Sequence, residues 1–428
     1  MSDSWSPYSR RGWASLGRVA QQLIMARFLR SVAQGALAVD FTLYLKVRGW
    51  SASEVGLLLM AGGLSGAGLS LLVGVISDRV GRRVFLLIYE VGLIIGTGLI
   101  VFDPRVWILV LAAALFGFGR GANGSSGPFA PAEQAWLAQS IPAKRRGNTF
   151  SFNAGLQFWG MGIGSLLAAI LPHMLPGVRG AQAYLPLFWL NLLMAIVNLI
   201  QIASLKETKP AAQAPTTPPQ AAPDASRGRE PTVVQRENRA LTLLVVVNMV
   251  NSLGVGLVAP LLPYWFNLKF GVGPTEIGPV YALTFFLTGV SSLIVGRVSE
   301  KVGLIRSIVV PRLLGVVLLV AIPFMPAFFW AAILYVVRSM VNRSSMGARQ
   351  AFSMGLVRDQ RRGLASSLNA VSWGLAASIG PAVGGWIIGM GSLALPFIAA
   401  ACLQLGYVVL FPTVMGRYDT SRPAADRA

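Results

Sequence analysis

Gly74-Val75-Ile76-Ser77-Asp78-Arg79-Val80-Gly81 runs straight into Arg82-Arg83, and 222 residues later the pattern returns as Gly296-Arg297-Val298-Ser299-Glu300-Lys301-Val302-Gly303. At the same offset Ser53-Glu54-Val55-Gly56 pairs with Thr275-Glu276-Ile277-Gly278. Arg145-Arg146-Gly147, followed by Ser151, Asn153 and Ala154, matches Arg361-Arg362-Gly363, followed by Ser367, Asn369 and Ala370. Arg120 with Asn123, Ser125 and Ser126 resembles Arg338 with Asn342, Ser344 and Ser345. Four matches in the same order read as an internal duplication.

The composition says what was duplicated. Of 428 residues, 54% are hydrophobic and only 12% charged, about half the roughly 25% usual in soluble domains. Apolar runs of about 20 residues, enough to cross a bilayer, recur twelve times. We place them near 19–46, 53–77, 83–103, 106–140, 147–173 and 183–205, then 240–268, 275–297, 305–325, 327–356, 363–389 and 393–415. The fourth and tenth are longer than a span and are expected to protrude. The expected fold is therefore an all-α polytopic membrane protein with twelve transmembrane helices in two pseudo-symmetric six-helix bundles. The bundles are residues 1–205 and 240–428. Residues 206–239 are rich in Pro, Ala, Thr and Gln, have little to bury, and read as a linker. Six spans between copies leave both halves in the same orientation, as in transporters that rock about a central site. The N-terminus reads as a retained first span rather than a cleavable signal, because its apolar run from about Val19 is too long for one.

The net charge of +20 follows from 36 Lys and Arg against 16 Asp and Glu. Both tails and the 2–3, 4–5, 8–9 and 10–11 loops carry three basic residues each and the linker six, 24 of the 36. Only Lys46, Arg48, Arg105, Arg179 and Lys269 fall on the other side. Basic residues collect in cytoplasmic loops, so both termini are expected in the cytoplasm and the chain in the cytoplasmic membrane. One His (His173) and one Cys (Cys402) leave no material for a Cys/His metal site, an intrachain disulfide or a histidine-based triad. Basic residues that punctuate apolar runs, rather than forming one polar patch, also argue against nucleic-acid binding.

With these motifs in view the chain resembles the major facilitator superfamily over essentially its whole length. The loop from Gly74 to Arg83 resembles that family's diagnostic signature, and the Arg120 segment resembles its helix-4 motif. The resemblance implies a twelve-helix transporter of the drug-efflux-like bacterial type. It also implies that Gly74, Asp78, Arg79, Gly81 and Arg82, with Gly296, Glu300 and Gly303 in the second half, form a conformational latch on the cytoplasmic side. From the residues themselves, Gly81 allows a tight turn and Asp78 can accept from a helix N-terminus or an Arg. The plainer reading is that the loop only fixes topology.

Ionisable residues at membrane depth are costly and mark function. Asp40 interrupts an apolar run in the first span and has Leu262 as its counterpart in the repeat. It is the leading proton-coupling candidate; the competing reading is a static bridge to Arg120. Glu133 is either a second titratable group or a gate contact. Glu90 pairs by repeat with Arg312 and reads as structural. Arg30, Arg120, Arg338 and Arg343 outnumber the acids and favour an anionic or zwitterionic solute held by guanidinium contacts. Gln157, Trp159, Asn251 and Tyr264 complete the binding candidates. The resemblance leans to efflux, yet Gly380-Pro381-Ala382-Val383-Gly384-Gly385 places a drug-antiporter-like signature on the eleventh span, whereas that family carries it on the fifth. The expected function is secondary active transport of a small organic solute by alternating access, proton-coupled, by a monomer in the lipid bilayer that needs no cofactor. Uptake of an organic anion or metabolite, or a non-transporting receptor on the same scaffold, are the alternatives.

Overall fold

The computed structural model describes residues 10–102, 105–116, 118, 127–142, 145–207, 230–302, 304–344, 349, 352–353, 355–358 and 362–418. A short α1 (Arg10–Ala14) precedes α2 (Arg18–Val47), α3 (Ala52–Val80), α4 (Arg82–Phe102), α5 (Val106–Phe116), α6 (Ala130–Gln139), α7 (Arg146–Ile170) and α8 (Leu185–Ala203). The second half holds α9 (Glu230–Val258), α10 (Leu262–Phe270), α11 (Pro274–Val302), α12 (Leu304–Ala321), α13 (Phe328–Ser344), α14 (Arg362–Gly389) and α15 (Leu395–Met415). The last two are the eleventh and twelfth spans. Eight of the described helices are long and apolar enough to cross a membrane. The fold is all-α and polytopic.

Local chemistry sets the helix ends. The Ser51 side chain accepts from the Glu54 N–H while the Ser51 N–H donates to Glu54, a capping box that starts α3. Gly81 ends α3 at φ 116°, a conformation closed to residues with a Cβ. The next helix, α4, begins at once, and the Arg82 and Arg83 N–H groups each donate to the Glu207 carboxylate at 2.9 Å. The helix N-terminus beside Asp78 is thus met by a residue just beyond α8.

Three expected boundaries change. The fourth span is not continuous: Gly127 (φ 78°) and Pro128 break it, with α6 starting at Ala130. The seventh span is divided by a 3-10 turn over Ala259–Leu261, because Pro260 and Pro263 withhold backbone donors there. The segment read as linker is helical from Glu230, with Pro231 in the first turn where a proline is tolerated. Glu237 holds this extension down by accepting from the backbone N–H and Nε of Arg358, and Leu241 packs with Val357.

Each bundle is held by backbone-close crossings. In the first half a Cβ on Gly164 would fall on the Val32 carbonyl, so α7 lies directly on α2. In the second half Gly384 meets the Leu257 carbonyl and seats α14 on α9. Between the halves, Gly56 of α3 abuts the Pro381 carbonyl of α14, and Gly278 of α11 abuts Ser165 of α7. Small residues that let backbones approach are how helices pack where lipid is as apolar as leucine. Among the described residues the halves are joined by hydrogen bonds from Tyr264 to the Trp50 carbonyl (3.1 Å), Ser53 to the Gly385 carbonyl (3.3 Å), His173 with Thr275 (2.9 Å), and Lys46 to Asn267. All four lie at the end of the bundle away from the linker.

Gly164→Val is expected to push α7 off α2 and cost at least the 1–3 kcal/mol or so of an overpacked core. A sharp fall in monodisperse yield after detergent extraction would show it, with Gly147→Ala, where a Cβ meets nothing within 4 Å, behaving as wild type.

Candidate functional site

In α2, Arg27 and Arg30 are three residues apart and so share a face. Both are buried, at 7% and 4% exposure. Two carboxylates from other helices meet them. Arg30 donates to Glu90 of α4 (2.6 Å from Nη2, 3.2 Å from Nε) and to Glu133 of α6 (2.5 Å from Nη1). Arg27 reaches the other Glu133 oxygen at 3.5 Å and donates to Gln157 Oε1 of α7 at 2.9 Å from Nε. Tyr89 lies under the Arg30 guanidinium at 5.4 Å. Four helices are thereby tied by two cations and two anions inside the first bundle. Losing either carboxylate would leave two buried guanidinium groups on a single acid, an unmatched charge that costs about 3–5 kcal/mol.

Glu133 and Gln157 therefore both face arginines of α2. Glu90, which the sequence reading treats as structural, shares Arg30 with Glu133. Arg27 was not singled out at all, although its spacing from Arg30 was the signal available. Asp40 is fully buried, and neither carboxylate oxygen has a hydrogen-bond partner among the described residues. Its neighbours Val39 and Phe41 belong to the apolar core with Tyr184 and Phe188, and its charge acts on the Tyr184 hydroxyl. Arg120 lies outside the described residues, and with it the Asp40–Arg120 bridge.

Arg343 of α13 sits where the two halves meet. Its guanidinium is 5.1 Å from the Phe158 ring of α7 and 5.7 Å from the Phe285 ring of α11. Tyr281 and Tyr335, with ring centroids 5.4 Å apart, both act electrostatically on it. Trp159 also lies at this junction: a Cβ on Gly289 of α11 would strike its indole. Arg338 turns elsewhere, donating to Gln404 of α15 at 3.3 Å. Asn251 accepts from Arg312 at 3.2 Å. Tyr264 is engaged in closing the end away from the linker, with Lys46 over its ring at 5.6 Å.

Of the latch residues, Gly74 packs near Pro131 of α6, which would stand 3.8 Å from a Cβ there, Gly81 forms the turn, and the Arg82 N–H meets Glu207. Asp78, Arg79, Gly296 and Glu300 belong to helical backbone whose side-chain placement is not described, and Gly303 lies outside the described residues.

The sequence profile of the Major Facilitator Superfamily matches residues 23–245 and 244–427, once for each half. Multidrug resistance protein MdtG of Salmonella paratyphi C (strain RKS4594) is 23% identical over 346 residues, covering 80% of this chain and 79% of that protein. The uncharacterized membrane protein YJR124C of Saccharomyces cerevisiae is 21% identical over 333 residues, covering 72% and 74%. Among solved structures, the nucleoside transporter NupG superposes with a TM-score of 0.67 at 12% identity, over 92% of this chain and 99% of that one. A bacterial homolog of the human lysosomal transporter Spinster, inward-facing and occupied, gives 0.66 at 13% identity over 95% of each chain. Two profile matches in tandem, on the two halves that the internal repeat and the backbone-close crossings define, leave one conclusion: the chain belongs to the Major Facilitator Superfamily, and it is a membrane transporter rather than an enzyme.

Proposed function

We propose that the protein is a proton-coupled secondary transporter that exports a small anionic or zwitterionic organic solute by alternating access. The observation that carries this reading is Arg343, a membrane-embedded cation held between aromatic rings of opposite halves. A group at that junction changes its surroundings whenever the halves rock, which is the requirement for a transport site. Guanidinium against aromatic faces offers a carboxylate a charged partner and its organic body an apolar one. The chain sits in the cytoplasmic membrane as a monomer with the linker inside, in keeping with the bias of basic loops. The four inter-half hydrogen bonds then lie on the outer side. Export is favoured by the multidrug resistance relatives.

Asp40 is the proton carrier in this reading. A carboxylate with no hydrogen-bond partner among the described residues is costly when ionised and cheap when protonated. Rocking of the halves would rehydrate it or bring a cation to it, releasing the proton. Glu90 and Glu133 are already matched by Arg27 and Arg30, which leaves them the structural task.

Three outcomes follow. In proteoliposomes Asp40→Asn abolishes transport driven by a pH gradient but retains solute counterflow; undiminished gradient-driven flux would remove Asp40 from the coupling step. Arg343→Ala raises the KM for acidic solutes about tenfold or more, equivalent to at least ~1.4 kcal/mol, and leaves cationic solutes largely unaffected. Tyr264→Phe combined with Lys46→Met removes two of the outer inter-half contacts, at about 1 kcal/mol each. In a Cys402→Ser background, an Ala52→Cys reporter, at a buried position where α3 crosses Gly385, should then react severalfold faster with an impermeant maleimide; an unchanged rate would show that these contacts do not hold the closed state.

A further inference from the structure

Inside the second bundle lie three arginines that no described carboxylate meets. Arg312 of α12, Arg338 of α13 and Arg349 near the linker-side end of the tenth span each have a buried Nε with no hydrogen-bond acceptor among the described residues. Arg312 is 3% exposed and Arg338 8%. Arg312 feels the charges of both Arg349 and Arg338, and Tyr407 feels those of Arg349 and Arg312, so the three form one positive cluster. The described side chains around them are neutral. The Tyr407 ring lies 5.9 Å from the Arg312 guanidinium and the Trp373 ring 5.2 Å from that of Arg349. Asn251 and Gln404 offer one amide oxygen each, at 3.2 and 3.3 Å.

Among the described residues no carboxylate reaches these three arginines; the ion pairs present are Arg27 and Arg30 with Glu90 and Glu133, and Arg358 with Glu237. Of the acids of this half, Glu230 and Glu237 stand in the first turns of α9, where Glu237 is taken by Arg358, and Glu276, Glu300, Asp359, Asp419 and Asp426 fall by sequence at span ends, in loops and in the C-terminal tail. The repeat makes the contrast sharp. Glu90 anchors the cation cluster of the first bundle, and the residue 222 positions on is Arg312, a further cation. Donors are in surplus as well: besides the three Nε groups, Asn251 Nδ2, Gln404 Nε2 and the Tyr407 hydroxyl are buried without acceptors. An arginine does not shed its charge by deprotonating, and burying an unmatched guanidinium costs several kcal/mol.

We infer that the second bundle binds a compact inorganic anion, an oxyanion or a halide, between α9, α12, α13 and α15, coordinated by Arg312, Arg338 and Arg349 with Asn251, Gln404 and Tyr407. The anion completes the bundle as Glu90 and Glu133 complete the first one. Arg343 is not one of its ligands, and the inference stands independently of the transport reading above.

The test uses the full-length purified protein in detergent. Thermal stability is followed while chloride, nitrate, phosphate or sulfate replaces gluconate at constant ionic strength. At least one compact anion should raise Tm by several degrees with a saturable dependence. Arg312→Met should lose that response. Asn251→Asp, which supplies the missing carboxylate beside Arg312, should raise Tm in gluconate and blunt the response; it decides the matter if Arg312→Met does not fold. Arg343→Ala should keep the response in full. The inference fails if wild type shows equal Tm in all salts or only a non-saturating rise. It also fails if Arg312→Met, or an Asn251→Asp variant no more stable in gluconate, responds as wild type does. Loss of the response in Arg343→Ala would place the anion in the transport site instead.

Discussion

A charge taken into hydrocarbon must find its partner inside the protein, and the interior of this molecule is organised by that requirement. In the first bundle two arginines of α2 are matched by two glutamates from α4 and α6. The match fixes how three helices and α7 stand around one another, because a guanidinium fork accepts carboxylates only in its own plane. The second bundle has the same helix arrangement and the opposite balance, with amides and aromatic rings where acids would be expected. Duplication preserved the backbone frame and left the two charge patterns free to diverge. That divergence separates a bundle that is complete in itself from one that the structure portrays as short of negative charge.

The packing between halves repeats the internal symmetry in another form. The second span meets the eleventh and the fifth meets the eighth, and at each meeting a glycine lies directly against the facing backbone, Gly56 on Pro381 and Gly278 on Ser165. Contacts this close tolerate little intermediate displacement, so the halves are disposed to move as bodies rather than to deform.

Much of the architecture was legible because it is local. Apolar runs mark spans, Gly81 marks a turn that needs positive φ, and the basic loops sort the two sides. The breaks in the fourth and seventh spans were marked by Pro128, Pro260 and Pro263, but their hydropathy stays high across the breaks and hides them. The helical extension over Glu230–Arg239 was hidden for the opposite reason. Its composition is polar, and tertiary contacts such as those of Glu237 with Arg358 and of Leu241 with Val357 hold it in place. Arg30, Glu133 and Gln157 stood out singly as residues out of place in a membrane. Their partnership did not, since residues 60 to 130 positions apart meet only through tertiary packing. Tyr264 was the reverse case: its type and span suggested a binding role, whereas its hydroxyl is committed to the Trp50 carbonyl.

The division of the seventh span has a mechanical meaning. Beyond the proline-containing turn at Ala259–Leu261, α10 is a nine-residue segment, and it carries both Tyr264 and Asn267, which grip Trp50 and Lys46. The prolines interrupt the backbone ladder at its root, so the direction of this segment is set by side chains: Trp265 and Phe266 are buried against Phe397 and Phe328, and the Trp265 indole donates to the Leu393 carbonyl at 2.7 Å. The segment is thus a bracket, bolted to the second bundle by its aromatic rings and reaching the first with its polar ones. Whatever moves the second bundle carries the bracket with it, and the grip on Trp50 and Lys46 is made or broken as a unit.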